Sequence, residues 1–307
     1  MVNSLEKFVS VIIPVLNNFE GLSKTLVALD NQTYPQELYE VIVVDNGSKE
    51  SLAELISQFQ QVIITRENRP GSYAARNRGI AIAKGEILAF TDSDCIPNSN
   101  WLANGVKSLL SEPNCGLVAG KINFFYQNPQ KPTAVELYDS LSFMDQKKYI
   151  QQHQYGVTAN LFTRQTVFDR VGTFNTNLKS GGDKEWGKRV FQHGYFQVYA
   201  ENACVEHPAR SSFQEISKKI TRIRKGGYDI DSLDADNRFE LNYHRLRKII
   251  WRLKPPSKSA FDKLYRLESS INIKQKFEFI IVIFILHYFG VWSEIKFYFN
   301  KDKTTFI

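Results

Sequence analysis

Cysteine is scarce in this chain of 307 residues, which contains only Cys95, Cys115 and Cys204. The three cysteines are odd in number, far apart and without a C-x-x-C pair. This pattern argues against a disulfide framework and against a zinc ribbon. A reducing, cytosolic compartment is therefore expected.

No hydrophobic run reaches the length of a membrane span. The first run, 8–16, contains Pro14 and leads to no small-residue cleavage site, so it is not typical of a secretory signal. We predict a buried strand there. The last run, 279–292, is apolar on all sides but shorter than the ~20 residues that a perpendicular span needs. It predicts either a buried helix or a helix that dips into a membrane.

Internal repeats and low-complexity tracts are absent too, and the composition is that of a folded protein. Hydrophobic residues make up 43% of the chain and charged residues 23%, enough for a sizeable core. The formal net charge of +7 favours an anionic partner: nucleic acid, a lipid surface or a phosphorylated small molecule. No zinc spacing or nucleic-acid-binding motif is present, so we expect no nucleic-acid partner and keep nucleic-acid binding as a minor alternative.

Short β-branched runs alternate with helical patterns in the first half of the chain. This alternation predicts β-α-β units and an α/β fold with a mainly parallel central sheet flanked by helices. The predicted strands are 8–15, 40–44, 62–65 and 87–91, and the predicted helices between them are 20–30, 52–59 and 72–83. Further on we predict helices at 101–110, 133–152 and 184–193, and strands at 116–123 and 203–206.

The composition becomes basic and aromatic after residue 213, and Gly226-Gly227 interrupts that region. We therefore predict a catalytic domain at 1–227 and a basic, partly apolar helical appendage at 228–307. A solvated acidic loop is expected at the start of the appendage, with the residues Asp229, Asp231, Asp234 and Asp236.

Polar residues follow three of the predicted strands, where open α/β sheets bind their ligands. Pro14 and Asn17 follow the first strand, and Asp45 follows the second. Asp45 could accept hydrogen bonds from a nucleotide, or it could be a turn residue, because D-N-G-S is also good turn chemistry. Position alone favours the turn.

Asp92-Ser93-Asp94 follows the fourth strand. Two carboxylates one residue apart can hold Mg²⁺ or Mn²⁺ together with diphosphate oxygens. The chain has two further D-x-D triplets, starting at Asp229 and Asp234, but neither follows a buried strand. Context therefore favours Asp92 and Asp94 as metal ligands, while the spacing alone leaves the metal site undecided.

Three more positions could carry chemistry, each with a structural alternative. Arg76, one turn inside a helix that starts after Gly71, could bind diphosphate or belong to an exposed basic face. Asp183, after a glycine pair, could be a general base or the N-cap of helix 184–193. His207 could complete a metal site through a neutral ring nitrogen, or be a structural histidine.

The motifs occur together in a familiar order: V-S-V-I-I-P-V-L-N, V-V-D-N-G-S, G-S-Y-A-A-R-N-R-G, F-T-D-S-D, G-G-D-K-E-W-G-K-R and H-P-A-R. In this order the chain resembles the family-two glycosyltransferases of GT-A fold, over residues 8–225. The resemblance implies a nucleotide-diphosphate sugar donor and a divalent metal, Mn²⁺ or Mg²⁺. The residues that it implies are Pro14, Asn17, Asp45, Arg76, Asp92 and Ser93 for the nucleotide, Asp94 with Asp92 and His207 for the metal, Asp183 as general base, and Thr158, Asn160, Gly182 and Glu185 near the donor sugar and acceptor.

The resemblance also implies a reaction and a place. Asp183 would deprotonate an acceptor hydroxyl that attacks the anomeric carbon, so configuration would invert. Gly182 departs from the family pattern, which often has Glu there. UDP is favoured over GDP or TDP, the acceptor is expected to be a saccharide or lipid-linked saccharide of a bacterial polysaccharide pathway, and the basic clusters suggest peripheral attachment to an anionic membrane at its cytoplasmic face. A non-catalytic glycosyltransferase-like scaffold is the main alternative.

Overall fold

A computed structural model describes residues 7–233, 238–267 and 271–299. Within these residues the strands are β1 (Val9–Val15), β2 (Tyr39–Asp45), β3 (Val62–Arg66), β4 (Ile87–Thr91), β5 (Ile96–Pro97), β6 (Cys115–Phe125), β7 (Asn160–Arg164) and β8 (Phe196–Pro208). The helices are α1 (Phe19–Asp30), α2 (Ala53–Ile56), α3 (Ser72–Ile82), α4 (Trp101–Leu110), α5 (Ala134–Ser142), α6 (Gln146–His153), α7 (Gln165–Val171), α8 (Gly182–Gln192), α9 (Phe213–Leu233), α10 (Arg238–Arg252), α11 (Ser257–Arg266) and α12 (Ile273–Phe299).

The strands form one mixed sheet in the order β3-β2-β1-β4-β7-β6-β8-β5. The first four neighbours are parallel, and so is the pair β6 and β8, whereas β7 runs antiparallel to both of its neighbours and β5 to β8. The predicted α/β fold is confirmed, with its parallel part at β1–β4 and its antiparallel strands further along. The carboxyl ends of β1, β2 and β4 lie side by side, which brings their terminal residues to one edge.

Helix α3 packs very closely on the parallel strands. A Cβ added at Gly79 would lie 2.5 Å from the Ile12 Cγ2 atom on β1, so only glycine permits this approach. Ile12, Ile42 and Phe90 belong to the same buried cluster as Tyr73 on this helix. The close packing fixes the first turns of α3 beside the ends of the strands.

The chain divides into two compact units. The first consists of the residues up to Phe125 together with Met144–Pro208, and the second of Tyr126–Phe143 and the residues from Ala209 onward. The sequence predicted a boundary at residue 227, but α9 continues through Gly226 and Gly227. The composition gives no signal that α5 belongs to the second unit. The predicted division into 1–227 and 228–307 stays an interpretation of the sequence.

The second unit is helical, and α12 is longer than its apolar run suggested. Its 27 residues are long and apolar enough to cross a membrane, and 33% of its most apolar window is buried within the protein. On one face of α12, three buried side chains pack with residues of α5, α9 and α11: Phe279, Ile283 and Leu286. The polar residues that flank 279–292 continue the same helix.

The predicted acidic loop is wrong for Asp229 and Asp231, which lie in α9. Lys225 pairs with Asp229 at 2.8 Å, and Lys248 of α10 pairs with Asp231 at 2.7 Å. These ion pairs accommodate the carboxylates within the helix. Asp234 and Asp236 lie outside the described residues.

Candidate active site

The loops after β1 and β2 are tied to each other. Asn17 adopts a left-handed conformation (φ 51°), and its side-chain oxygen accepts a hydrogen bond from the Lys49 backbone at 2.9 Å. Asp45 Oδ1 accepts from the Ser48 backbone at 2.8 Å, which is the turn role that D-N-G-S predicts. Pro14 pairs in register with Val44 at the end of the same strand pair. The structure thus places the three predicted nucleotide contacts together.

Arg76 is buried and paired with Asp92. Its side chain is 4% exposed, and Nη2 lies 2.5 Å from Asp92 Oδ1. Arg76 Nε is also buried and has no hydrogen-bond partner among the described residues. The alternative of an exposed basic face is therefore wrong for Arg76. A buried guanidinium with a donor to spare is well suited to a phosphate or carboxylate ligand.

Ser93 links the D-x-D segment to the start of α1. The Asn18 side-chain amide donates to the Ser93 carbonyl at 3.0 Å and to its hydroxyl oxygen at 3.1 Å. Asn18 also caps α1 by accepting from Gly21 at 3.2 Å. Asn18 was not predicted from the sequence, although an Asn immediately before a helical pattern is a capping signal. These bonds hold the D-x-D segment in place.

Asp94 faces His207, which is 113 positions further along the chain and 2% exposed. The distance from His207 Nε2 to Asp94 Oδ2 is 3.8 Å. His207 Nδ1 lies 2.7 Å from the Pro208 carbonyl oxygen, so Nδ1 carries the hydrogen in that bond. In the neutral ring this leaves the Nε2 lone pair directed toward Asp94.

These two groups fit a divalent cation. The 3.8 Å between them is less than twice the bond length of about 2.1 Å that Mg²⁺ makes with its ligands, so one ion can reach both. Cys95 Sγ lies within the same cluster, but burial raises its pKa well above the usual value, with the Asp94 and Asp92 charges adding to the effect. A protonated thiol is a poor ligand, so oxygen and imidazole donors define the candidate site.

Asp183 lies in the first turn of α8, whose N-cap is Gly181. The predicted alternative that Asp183 is the N-cap is therefore wrong. Its Oδ1 accepts hydrogen bonds from the Tyr73 hydroxyl at 3.2 Å and from the Lys184 backbone at 2.9 Å. Burial raises the pKa of the Asp183 carboxyl, and the Arg76 charge opposes that rise.

Glu185 and Arg189, one turn apart on α8, form a structural ion pair. Arg189 Nε lies 2.6 Å from Glu185 Oε1, and the same guanidinium donates to the carbonyls of Val171 and Thr173 at 2.6 and 2.7 Å. Glu185 is therefore engaged in holding α8 against the end of α7. A role for Glu185 at the acceptor stays a prediction.

Asn160 begins β7 and Thr158 lies two residues before it; the two are 0% and 3% exposed. The Asn160 side chain accepts from Trp101 Nε1 at 2.9 Å and donates to the carbonyls of Lys121 and Ala203 at 2.8 and 2.9 Å. The Asn160 amide thus joins α4, β6 and β8. Both amide donors are used in these bonds, and the side-chain oxygen keeps one acceptor site.

The structure links the predicted base to the predicted donor site through a residue that the sequence did not reveal. Tyr73 bonds Asp183, and its ring lies 5.7 Å from the guanidinium carbon of Arg76, which pairs with Asp92. Tyr73 precedes Arg76 by one helical turn, so the helical pattern places the two on one face. No sequence signal connects Tyr73 to Asp183.

Comparison with known proteins identifies relatives of this chain. The model of glycosyl transferase family 2 matches residues 10–180. Glycosyltransferase AglE of Haloferax volcanii is 44% identical over 232 residues, which cover 74% of this chain and 75% of that protein. An enzyme of Methanococcus voltae, dolichyl N-acetyl-alpha-D-glucosaminyl phosphate 3-beta-D-2,3-diacetamido-2,3-dideoxy-beta-D-glucuronosyltransferase, is 26% identical over 73% of this chain and 76% of its own length.

A solved structure shares the fold. The mannosyltransferase PcManGT from Pyrobaculum calidifontis, in complex with GDP-Man and Mn²⁺, superposes with a TM-score of 0.66 at 18% identity, over 97% of this chain and 88% of that one. At this identity the likeness establishes the fold alone. The family model and the H. volcanii relative carry the assignment further: with its mixed sheet and the ordered motifs on it, this chain is a glycosyltransferase that belongs to glycosyl transferase family 2.

Proposed function

We propose that this chain transfers a sugar from a nucleotide-diphosphate donor to an acceptor hydroxyl with inversion of configuration. The observation that carries the proposal is the chain of contacts from Asp92 through Arg76 and Tyr73 to Asp183. It joins a carboxylate at the donor edge of the sheet to a second, half-buried carboxylate on α8. A single displacement needs these two functions, donor binding and base, side by side.

Asp183 is the proposed general base. Its carboxyl takes the proton of the acceptor hydroxyl while that oxygen attacks the anomeric carbon from the face opposite the diphosphate. Burial raises the pKa of this carboxyl toward the pH at which the enzyme works, which favours general-base catalysis. A base of this kind contributes roughly 10²- to 10⁴-fold to the rate.

Residues at the ends of the three strands β1, β2 and β4 would hold the nucleotide-sugar donor. Asn17 and Asp45 line the proposed nucleotide pocket at the ends of β1 and β2. Beside them, Asp92 follows β4 and pairs with Arg76 of α3. The buried Arg76 Nε, which lacks a partner within the described residues, is a donor that a diphosphate oxygen can satisfy. Thr158, Asn160, Gly182 and Glu185 complete the predicted sugar and acceptor side.

Asp94 and His207 would hold a divalent ion, Mn²⁺ or Mg²⁺, with Asp92 next to them. Such an ion supplies Lewis-acid stabilisation of the charge on a departing diphosphate. The structure of the P. calidifontis enzyme contains Mn²⁺ together with GDP-Man. That pairing supports a divalent metal here and puts GDP on equal footing with the UDP that the sequence resemblance favoured.

The acceptor is proposed to be a lipid-linked saccharide, with the enzyme bound peripherally at the cytoplasmic face of a membrane. The M. voltae relative is named for a dolichyl-phosphate-linked sugar, which is a lipid-linked acceptor. The second unit of this chain exposes large apolar side chains on its last helices, among them Trp251 (69%), Phe261 (71%), Tyr265 (78%) and Phe277 (66%). Exposed Lys254, Lys258 and Arg266 lie between them in the sequence. Aromatic and basic residues in alternation are typical of helices that lie in a lipid interface.

The packing of α12 favours peripheral attachment over a span. Phe279, Ile283 and Leu286 on one face are buried in the helical core. Further along the helix, Glu294 pairs with Arg252 of α10 and with Arg224 of α9, the latter at 2.9 Å. A helix with one side packed on protein and an ion-paired carboxylate near its end is not surrounded by lipid on all sides. Its other side, with Phe277, Ile281, Ile285 and Trp292, is free to contact a membrane surface.

Calorimetric titration with UDP, GDP and TDP, with and without Mn²⁺, tests the donor site. The proposal expects one nucleotide to bind tightly, to need the metal, and to lose most of its affinity in Asp94→Asn. Asp183→Asn is the matched variant, since it removes the base and leaves the donor ligands in place, and it should bind the same nucleotide normally. Failure of every nucleotide to bind folded wild-type protein would contradict the proposal and favour a non-catalytic scaffold.

A further inference from the structure

Gly182 and Tyr73 are complementary in shape. A Cβ added at Gly182 would lie 2.8 Å from Cε2 of the Tyr73 ring and 2.9 Å from two other ring carbons. The ring therefore fills the volume that a side chain at position 182 would need. Tyr73 is 6% exposed, and its ring contacts Phe174 with centroids 5.7 Å apart, so it has little room to move aside.

The Tyr73 hydroxyl is directed at the carboxylate next to that glycine. It donates to Asp183 Oδ1 at 3.2 Å, and the Lys184 backbone donates to the same oxygen at 2.9 Å. Two donors on Oδ1 leave Oδ2 as the oxygen with unused acceptor capacity. The carboxylate is thereby oriented with one specific oxygen available for a proton.

We infer that Tyr73 is a positioning residue for the proposed base Asp183, and that Gly182 is required because its missing side chain admits the Tyr73 ring. The role of Asp183 as a base rests on the proposed function. The orientation of its carboxylate by Tyr73 does not depend on that function. The aromatic ring from α3 takes the space that a side chain at position 182 would occupy.

The groups that face Asp183 come from four parts of the first unit. They are Tyr73 and Arg76 on α3, Asp92 at the end of β4, Tyr149 on α6, and Tyr155 after α6. Of these groups, Tyr73 donates a hydrogen bond to the Asp183 carboxylate. A hydrogen bond to the ionised form favours that form, so loss of the hydroxyl should make Asp183 easier to protonate.

Tyr73→Phe tests the inference, because phenylalanine keeps the ring in its slot and removes only the donor. Tyr39→Phe is the matched control: Tyr39 is also buried (3% exposed), and its hydroxyl donates to the Leu29 backbone at 2.8 Å, away from Asp183. The primary readout is the titration of the Asp183 carboxyl by carbon NMR on protein labelled at the aspartate side chains. The Asp183 signal is assigned as the one lost in Asp183→Asn.

The expected result is an Asp183 midpoint at higher pH in Tyr73→Phe and an unchanged midpoint in Tyr39→Phe. Sugar transfer, followed as nucleotide release, should fall about tenfold in kcat with nucleotide affinity unchanged, in keeping with the loss of one hydrogen bond to a charged group. An unmoved midpoint in Tyr73→Phe overturns the inference. Because the titration needs no substrate, it decides the role of Tyr73 even if no donor sugar is turned over, an outcome that would instead count against the proposed function.

Discussion

The Arg76 guanidinium lies 2.5 Å from the Asp92 carboxylate in an environment where the arginine is 4% exposed. The two residues come from different elements, α3 and the end of β4, and the sequence suggested each of them separately as a nucleotide contact. Their pairing places a fixed positive charge at the centre of the site. That charge also lowers the pKa of Asp183 against the effect of burial. Arg76 therefore connects the proposed donor site to the proposed base.

Substitution of Arg76 should reveal this connection. Arg76→Met keeps much of the apolar stem and removes the charge, so Asp92 loses its partner and Asp183 loses an opposing charge. We expect nucleotide affinity to fall at least about tenfold and the acid limb of the rate profile to move to higher pH. Calorimetry and pH-rate measurements check the two effects. Arg78→Met, on the same helix but exposed, should change neither.

The pH dependence of activity should follow Asp183. A general base works only when deprotonated, and burial raises the pKa of this carboxyl above its ordinary value of 3.8. Activity should therefore be lost as pH falls through a midpoint above 3.8, and Asp183→Asn should remove about 10²- to 10⁴-fold of the rate. The measurement is kcat/KM against pH. An acid limb that survives unchanged in the residual activity of Asp183→Asn would contradict the assignment.

Metal binding should depend on the pair formed by Asp94 and His207. Asp94→Asn and His207→Gln each remove one of two ligand atoms that lie 3.8 Å apart, so the affinity for Mn²⁺ should fall at least about tenfold. Electron paramagnetic resonance of free Mn²⁺ measures this directly. Asp229→Asn is the control, because it alters another D-x-D triplet, one that lies in α9. Equal losses in all three variants would argue against a specific site.

Two glycines should respond in opposite ways to alanine. Gly182→Ala forces a Cβ into the Tyr73 ring and should lower the free energy of unfolding by about 1–3 kcal/mol. Gly227→Ala lies inside α9 with nothing within 4 Å of the added Cβ, and should raise it by about 0.5–1 kcal/mol. Urea denaturation of both variants gives the comparison. A neutral Gly182→Ala would mean that the ring has room to shift.

Membrane binding should depend on the aromatic residues of α11. Phe261 and Tyr265 are one turn apart and 71% and 78% exposed, so replacing both by serine should leave the fold intact and weaken binding to anionic vesicles. Vesicle sedimentation at low and high salt measures the effect, and the electrostatic part should weaken with salt. Phe196→Ser, at an equally exposed position of the first unit (63%), serves as control. Undiminished binding by the serine pair would contradict the proposed surface.

The parallel half of the fold was accessible from the sequence because local signals there agree with one another. The strands β1 to β4 are β-branched runs between turn residues, and each predicted strand coincides with an observed one. The second unit was less accessible. Gly226-Gly227 has the local chemistry of a helix end, yet α9 continues, because Ile220 and Ile230 on either side of the pair are buried and tertiary packing overrides propensity.

Candidate site residues can be recognised in the sequence where they directly follow a strand or a glycine pair, and not where they depend on contacts between distant parts of the chain. Asp92 and Asp94 stand out because they follow β4, and Asp183 because it follows two glycines. The partnership of Tyr73 with Asp183 spans 110 positions, and nothing in either local sequence requires it. Asn160 was expected at the substrate, which stays a prediction. The bonds of its amide to α4, β6 and β8 have no signal in the local sequence.

The burial of all three cysteines has a practical consequence. Cys95 and Cys115 are 0% exposed and Cys204 is 6% exposed, and burial raises the pKa of each thiol. Maleimide reagents attack the thiolate, so the native cysteines should react slowly. A single cysteine engineered at an exposed position of α11 or α12 can therefore carry a fluorescent probe in the otherwise native protein. Quenching of that probe by lipids brominated at different depths would then report whether either helix enters a bilayer.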